Sequence, residues 1–179
     1  MSLKIYSITD GYIDYLRAEH PHVYSNKEIE RINARKYIGF VLEINEFKYY
    51  VPLSSPKEHD YEEVDGARKI RKDSFVVFRI RSRNGDSVEL RGTVQFSDMI
   101  PVPESELILY DLENEPDEDY KNLVQEEIEF IRKNEERIRK RAAVIYNKKT
   151  SGSTEKVMEH VLDFHSLETM MKEWVKIIQ

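Results

Sequence analysis

Apolar and polar positions follow two different periods along this chain, and the change falls near residue 117. Upstream the pattern is that of strands. Residues 3–9 (LKIYSIT) alternate as a first strand. Asp10 reads as the N-cap of a short helix, GYIDYLRAEH, with Tyr12, Tyr15 and Leu16 on one side. His20-Pro21 ends it, because a residue before proline avoids helical backbone. Ser25 or Asn26 could cap a second short helix running to about Arg35. YIGFVLEI (37–44) and FKYYVPL (47–53) are predicted strands, joined at Asn45-Glu46 by a two-residue turn without the usual glycine. Residues 58–72 are charged and read as a loop. SFVVFRIRSR (74–83) and DSVELRGTVQF (86–96) flank Asn84-Gly85, the strongest hairpin signal in the chain. MIPVPESELILYDL (99–112) carries two prolines and then a short apolar run that predicts an edge strand.

Downstream the period is helical. Val124, Ile128, Ile131, Ile138, Ala142 and Ile145 step by 4, 3, 7, 4 and 3, which predicts one amphipathic helix of about 30 residues interrupted only at Glu135. Its acidic start (Asp117, Glu118, Asp119) and basic end (Arg137, Arg139, Lys140, Arg141) suit the helix dipole. SGS at 151–153 is a break. TEKVMEHVLDF and SLETMMKEWVKIIQ follow as two shorter helical patterns, with Ser166 as the cap of the second. Met170, Met171, Trp174 and Ile177 on the last one read as core-facing. Strands first and helices last imply an α+β fold: an antiparallel sheet or small barrel with a long helix and further C-terminal helices packed on it. A single domain over 1–179 is expected.

Charge changes this picture. The chain is acidic overall, at −6, yet residues 1–97 balance at +1 and residues 98–179 carry −7. Within 66–91 eight basic residues face three acidic ones, and phosphate binding responds to such a local basic face. The absence of cysteine excludes disulfides and thiolate metal sites. Neither a signal peptide nor an apolar run of spanning length is read, so a cytoplasmic protein away from membranes is expected.

Four groups could carry chemistry. Ser54, Ser55 and Lys57 gather at a predicted strand end, with Pro56 restricting the turn. Hydroxyl donors and an ammonium can stabilise the charge of a phosphorane, and a plain strand-ending turn is the alternative. Arg79, Arg81 and Arg83 share one face of a strand opposite Phe78, Ile80 and Ser82, and Arg68, Lys69, Arg71 and Lys72 precede them. Such a patch suits a phosphate backbone, or else is a solvated face balanced by Asp86 and Glu89. Arg31, Arg35 and Lys36 lie just before the first core strand, among Tyr24, Tyr37, Tyr49, Tyr50 and Tyr61. Cations with aromatics suit single-stranded RNA, and half-buried sheet packing is the alternative for the rings. The five histidines lack metal-binding spacing, so no metal and no cofactor are expected; His59 could exchange protons.

Four segments in order resemble one family: IYSITDGYIDYL, RKYIGFVLEINEFKYYVPLSSPK, FSDMIPVPESELILYDL and DLENEPDEDYKNLVQEEIEFIRKNEERIRKRA. Over about residues 3–146 the chain resembles the ToxN/AbiQ endoribonuclease toxins of type III toxin–antitoxin systems, leaving 151–179 as a helical extension. The resemblance implies a fold like the small MazF/Kid-type barrel, elaborated with helices. It implies metal-independent RNA cleavage by 2′-hydroxyl attack, giving 2′,3′-cyclic phosphate and 5′-hydroxyl ends. It also implies inhibition by a structured pseudoknot RNA that the toxin cuts from a repeat precursor, a ring-like toxin–RNA assembly, and a role in abortive phage infection, with no need of DNA. The family's hydroxyl-hydroxyl-Pro-Lys motif falls on Ser54, Ser55, Pro56 and Lys57, and its basic residue before the core strand on Arg35. Arginine is a poor proton donor, so charge stabilisation is expected of Arg35. A tyrosine described upstream in some members is collinear with Arg31, and Tyr24 replaces it only with a shift of about two helical turns. The general base stays open between Lys57 and His59. A non-catalytic RNA-binding module is the rival reading, and a carboxylate-based magnesium nuclease a weaker one.

Overall fold

The computed structural model describes residues 2–27 and 33–179. Strand β1 (Lys4–Ile8) leads directly into helix α1 (Asp10–Glu19), which buries Tyr12, Ile13 and Leu16. Thr9, not Asp10, stands at the cap position; Asp10 is the first helical residue, and its carboxylate accepts from the Asn26 side-chain amide at 3.1 Å. The second short helix predicted from Ser25 or Asn26 falls mostly on residues outside those described, and 33–36 are not helical.

β2 (Tyr37–Ile44) and β3 (Phe47–Ser54) form the expected hairpin, with Asn45 in the left-handed region (φ 53°) that asparagine tolerates. The pair shifts register between Gly39 and Leu42, and the Tyr50 ring fills the space a Cβ on Gly39 would need. β3 is the hub of the sheet. One edge pairs with β2. The other pairs first with β8 (Ile100–Pro101), at Tyr49 and Tyr50, and then with β7 (Ser87–Gln95), at Leu53 and Ser54.

β7 forms the Asn84-Gly85 hairpin with β6 (Val77–Asn84), and β9 (Leu107–Leu109) is the edge strand on β1. The described order is β6-β7-β3-β2-β1-β9. Among the described residues its end strands, β6 and β9, are not paired with each other, so the antiparallel sheet does not close into a hydrogen-bonded barrel.

Three predicted elements differ. Residues 58–72 are no loop: a 3-10 turn, Glu58–Asp60, leads into a separate hairpin of β4 (Tyr61–Val64) and β5 (Ala67–Ile70). Its Asp65-Gly66 turn has both residues at positive φ, 53° and 74°. The long helix is two, α2 (Glu118–Lys133) and α3 (Glu135–Thr150), because Asn134 leaves helical backbone and its side-chain amide bonds the Phe130 carbonyl at 2.8 Å. Residues 156–160 make only a 3-10 turn, and α4 (Phe164–Ile178) is capped by the Asp163 carboxylate, which accepts from Ser166 N–H at 3.1 Å.

The C-terminal segment packs into the core through Met170, Met171 and Trp174, whereas Ile177, also expected to face it, is exposed. Met158, Leu162, Phe164 and Leu167 are buried with the sheet residues. Trp174 lies against Tyr12 and Tyr15 of α1 at 5.7 and 5.0 Å. Glu168 is buried on α4 because the Tyr49 and Tyr146 hydroxyls donate to it at 2.7 and 2.8 Å. Among the described residues no helix is long and apolar enough to cross a membrane.

Candidate active site

β3 ends where its neighbours change, and that is where the predicted chemistry collects. Ser54 is its last residue, paired with Thr93 of β7, which is in turn paired with Arg79 of β6. Cross-strand partners share a face, so Ser54, Thr93 and Arg79 form one polar row. Gln95 extends it, donating to the Thr93 hydroxyl at 2.7 Å. All four are buried, in a place where polar groups require partners. β7 approaches closely here: a Cβ on Gly92 would lie 3.1 Å from the Ser54 carbonyl oxygen.

Past Ser54 the chain turns out through exposed Ser55, half-buried Pro56 and exposed Lys57, then folds back in the 3-10 turn. Asp60 closes that turn. Its backbone N–H donates to the Lys57 carbonyl at 2.9 Å, and its carboxylate accepts the Lys57 N–H at 2.9 Å. The Asp60 carboxylate also ion-pairs with the Arg79 guanidinium at 3.0 Å, and Asp60 and Arg79 are 1 % and 5 % exposed.

On the other side of β3, Arg35 donates to the Leu53 carbonyl at 3.0 Å and lies 4.0 Å over the Tyr24 ring. The expected basic residue and the displaced tyrosine therefore meet beside the Ser54–Lys57 turn. Lys36 is held the opposite way. Its carbonyl accepts from Leu53 N–H at 2.8 Å, while its ammonium is buried in an ion pair with Glu127 of α2 and lies 4.8 Å from the Tyr120 ring centre. Burial drives the Glu127 carboxyl up, against the pull of Lys36.

Two groups escaped sequence reading. Asp98 sits in a 3-10 turn, Phe96–Asp98, after β7, where the Ser97 hydroxyl donates to it at 2.6 Å. Burial pushes its carboxyl above the ordinary aspartate value, opposed by that hydroxyl and by the charges of Arg35, His22 and Lys57. Asp98 and His22 thus join the neighbourhood of Arg35 and Lys57. Asp98 lies in the FSDMIPVP segment, which the family resemblance includes but whose local pattern marks only prolines and an edge strand. His59 is exposed on the turn.

The basic stripe divides. Arg79 is no surface cation: besides Asp60 it donates to the Lys72 carbonyl at 2.5 Å. Arg81 is bound to Asp73 at 3.1 Å and to the Arg71 carbonyl at 2.7 Å. Lys36 is likewise turned inward. Their neighbours decide this, since the 57–60 turn, the 71–74 segment and α2 cover those positions. Arg83 stays exposed at the tip of β6. Arg68, Lys69, Arg71 and Lys72 are exposed on or just after the β4–β5 hairpin, with Arg68 paired to Glu58 at 2.9 Å and stacked on Tyr61 at 4.0 Å. Arg31 lies outside the described residues.

Residues 4–172 match the model of the family described as Toxin ToxN, type III toxin–antitoxin system. Endoribonuclease ToxN of Pectobacterium atrosepticum is 29% identical over 174 residues, covering 97% of this chain and 95% of that protein. Endoribonuclease AbiQ of Lactococcus lactis subsp. lactis is 30% identical over 168 residues, covering 94% and 87%. The solved structure of AbiQ, a lactococcal anti-phage endoribonuclease of a type III toxin–antitoxin system, superposes with TM-score 0.81 at 29% identity over 98% of this chain and 99% of that one. A structure of a type III toxin selectively inhibited by a non-coding RNA pseudoknot superposes at 0.78, with 27% identity over 97% and 98%. The match runs past the helix break and into α4, over the same elements that carry the Ser54–Lys57 turn, and the chain belongs to the ToxN family of type III toxin–antitoxin system toxins.

Proposed function

We propose that this chain is a sequence-preferring, metal-independent endoribonuclease toxin, held inactive by a structured pseudoknot RNA that it cuts from a repeat precursor. One observation carries the reading: Arg35 and Tyr24 approach the end of β3 from one side while Asp60 folds Lys57 back over it from the other. A scissile phosphate beside Ser55 would meet hydroxyl donors and two cations. The ribose 2′-oxygen attacks phosphorus and loses its proton, the P–O5′ bond breaks, and O5′ takes up a proton. The products are a 2′,3′-cyclic phosphate and a 5′-hydroxyl. Arg35 and Lys57 offset the charge that gathers on the phosphorane. Lys57, His59, His22 and Asp98 are the groups able to exchange the two protons, and Asp98 holds its own more firmly than an ordinary aspartate.

The exposed cations of the β4–β5 hairpin and Arg83 bind RNA phosphates in this reading. The hairpin is well placed for it, because Arg71 N–H donates to the Asp60 carbonyl at 2.9 Å and ties its base to the Lys57 turn. A ring-like toxin–RNA assembly, abortive phage infection and a cytoplasmic setting belong to the same proposal. So does an elaborated MazF/Kid-type sheet in one domain over 1–179, supported by β3 serving as the common strand of two differently paired halves.

The test is cleavage of a mixed RNA in EDTA by protein freed of nucleic acid, with the 5′-hydroxyl ends sequenced. Ser55→Ala and Lys57→Ala are each expected to lower cleavage by about 10²–10³-fold with the melting temperature unchanged. Tight RNA binding without cuts would leave a binding module instead.

A further inference from the structure

Arg79 and Asp60 form a buried ion pair that the proposed phosphate-binding groups do not include, and Asp60 holds the turn at Lys57 through that residue's backbone N–H and carbonyl. We infer that Asp60 and Arg79 are positioning residues for cleavage, acting through the backbone of Lys57. The inference rests on the nuclease reading above.

The geometry runs in one direction. Arg79 lies on β6, at one end of the sheet, opposite Thr93 of β7. Its guanidinium contacts the Asp60 carboxylate at 3.0 Å and the Lys72 carbonyl at 2.5 Å, and the ladder with β7 holds its backbone. Its own N–H donates to Asp73 at 2.9 Å. A buried carboxylate with one oxygen against a guanidinium nitrogen leaves its other oxygen for a second donor. Asp60 then presents its second oxygen to Lys57 N–H at 2.9 Å and closes the turn by its own N–H. Lys57 and Ser55 are exposed, and the backbone bonds to Asp60 hold the turn from which the Lys57 side chain starts. A flexible turn would scatter the ammonium over several positions, whereas this one launches it from a single backbone site. A buried pair of this kind is poor evidence of stabilisation and better evidence of a geometric role.

The experiment is a double-mutant cycle on an oligoribonucleotide carrying the mapped cut site, at a temperature below every variant's melting transition. Asp60→Asn keeps an oxygen for Lys57 but loses the charge that grips Arg79. It is expected to lower kcat by about 10²-fold with KM nearly unchanged, the scale of a misplaced reacting group. In the Lys57→Ala background the same change should cost less than about 3-fold, because the route through Lys57 is already gone. Arg79→Lys, which keeps the charge but loses the fork, should fall between wild type and Asp60→Asn, and it carries the same cycle if Asp60→Asn does not fold. A folded Asp60→Asn enzyme at wild-type kcat overturns the inference alone, as does an equal loss in both backgrounds. Wild-type protein that cuts nothing overturns the nuclease reading and this inference together.

Discussion

Two groups of cations with the same look in sequence lead opposite lives in this fold. Arg35, Lys36 and Arg79 are buried around the end of β3, each facing protein oxygens: the Leu53 carbonyl, the Glu127 carboxylate and the Asp60 carboxylate. Lys69, Lys72 and Arg83 stand in solvent on the β4–β5 hairpin, just beyond it and at the β6 tip. The difference is one of desolvation. A buried charge has to be neutralised from within the molecule, so it organises structure, while an exposed charge keeps its water and can exchange it for a phosphate.

The comparison breaks most visibly at Lys36. Lys36→Met leaves Glu127 buried without its cation, and the expected loss is about 3–5 kcal/mol of stability in a denaturant titration. Replacing both residues by methionine should recover most of it, since the desolvation cost then disappears on both sides. A single variant as stable as wild type would mean that the pair does not hold α2 to the start of β2.

Asp73 sharpens it through pH. Burial alone would raise this carboxyl, but the Arg79 N–H and the Arg137 and Arg81 guanidinium groups outweigh burial and hold it below the ordinary aspartate value. The unfolded chain therefore binds more protons in the acid range, so stability should rise with pH there, and this contribution is lost as pH falls through the folded-state value. Asp73→Asn should melt earlier than wild type at neutral pH and converge with it under acid. Parallel melting profiles across that range would contradict the assignment.

The smallest effects on the fold belong to the exposed group. Lys69→Ala and Lys72→Ala should leave melting unchanged while weakening RNA binding, each reducing the slope of log affinity against log salt by about 1. A salt slope identical to wild type would place the RNA elsewhere.

Reading the fold from sequence worked where a local rule had no competitor. Asn84-Gly85 and Asn45-Glu46 turned where expected, and the apolar period of 117–145 gave the correct buried face on both α2 and α3. It failed where one local signal hid another. Asp65-Gly66 is a strong hairpin signal, yet its flanking strands are charged and mostly exposed, so the hydrophobic alternation that usually marks strands is missing. At Asn134 a side chain competes with the backbone for the Phe130 carbonyl and stops a helix that periodicity would have continued.

For the site the division is similar. The hydroxyls and ammonium of Ser54, Ser55 and Lys57 were legible because their chemistry is carried by adjacent residues. The family resemblance puts Arg35, and offers Tyr24, beside them, but Asp98 and His22 were not legible there, because they come from separate stretches of chain.

By itself the sequence determined the strands-first, helices-last division, the Asn45-Glu46 and Asn84-Gly85 turns and the Ser54–Lys57 turn, since each depends on interactions among neighbours along the chain. Only the tertiary structure decided which cations are buried and which face solvent. Burial is set by what packs over a residue, and the covering groups here, Asp60 and the 71–74 segment over β6 and Glu127 of α2 over Lys36, are placed by the whole sheet. A stripe of arginines at period two is one pattern on the page and two physical situations in the molecule.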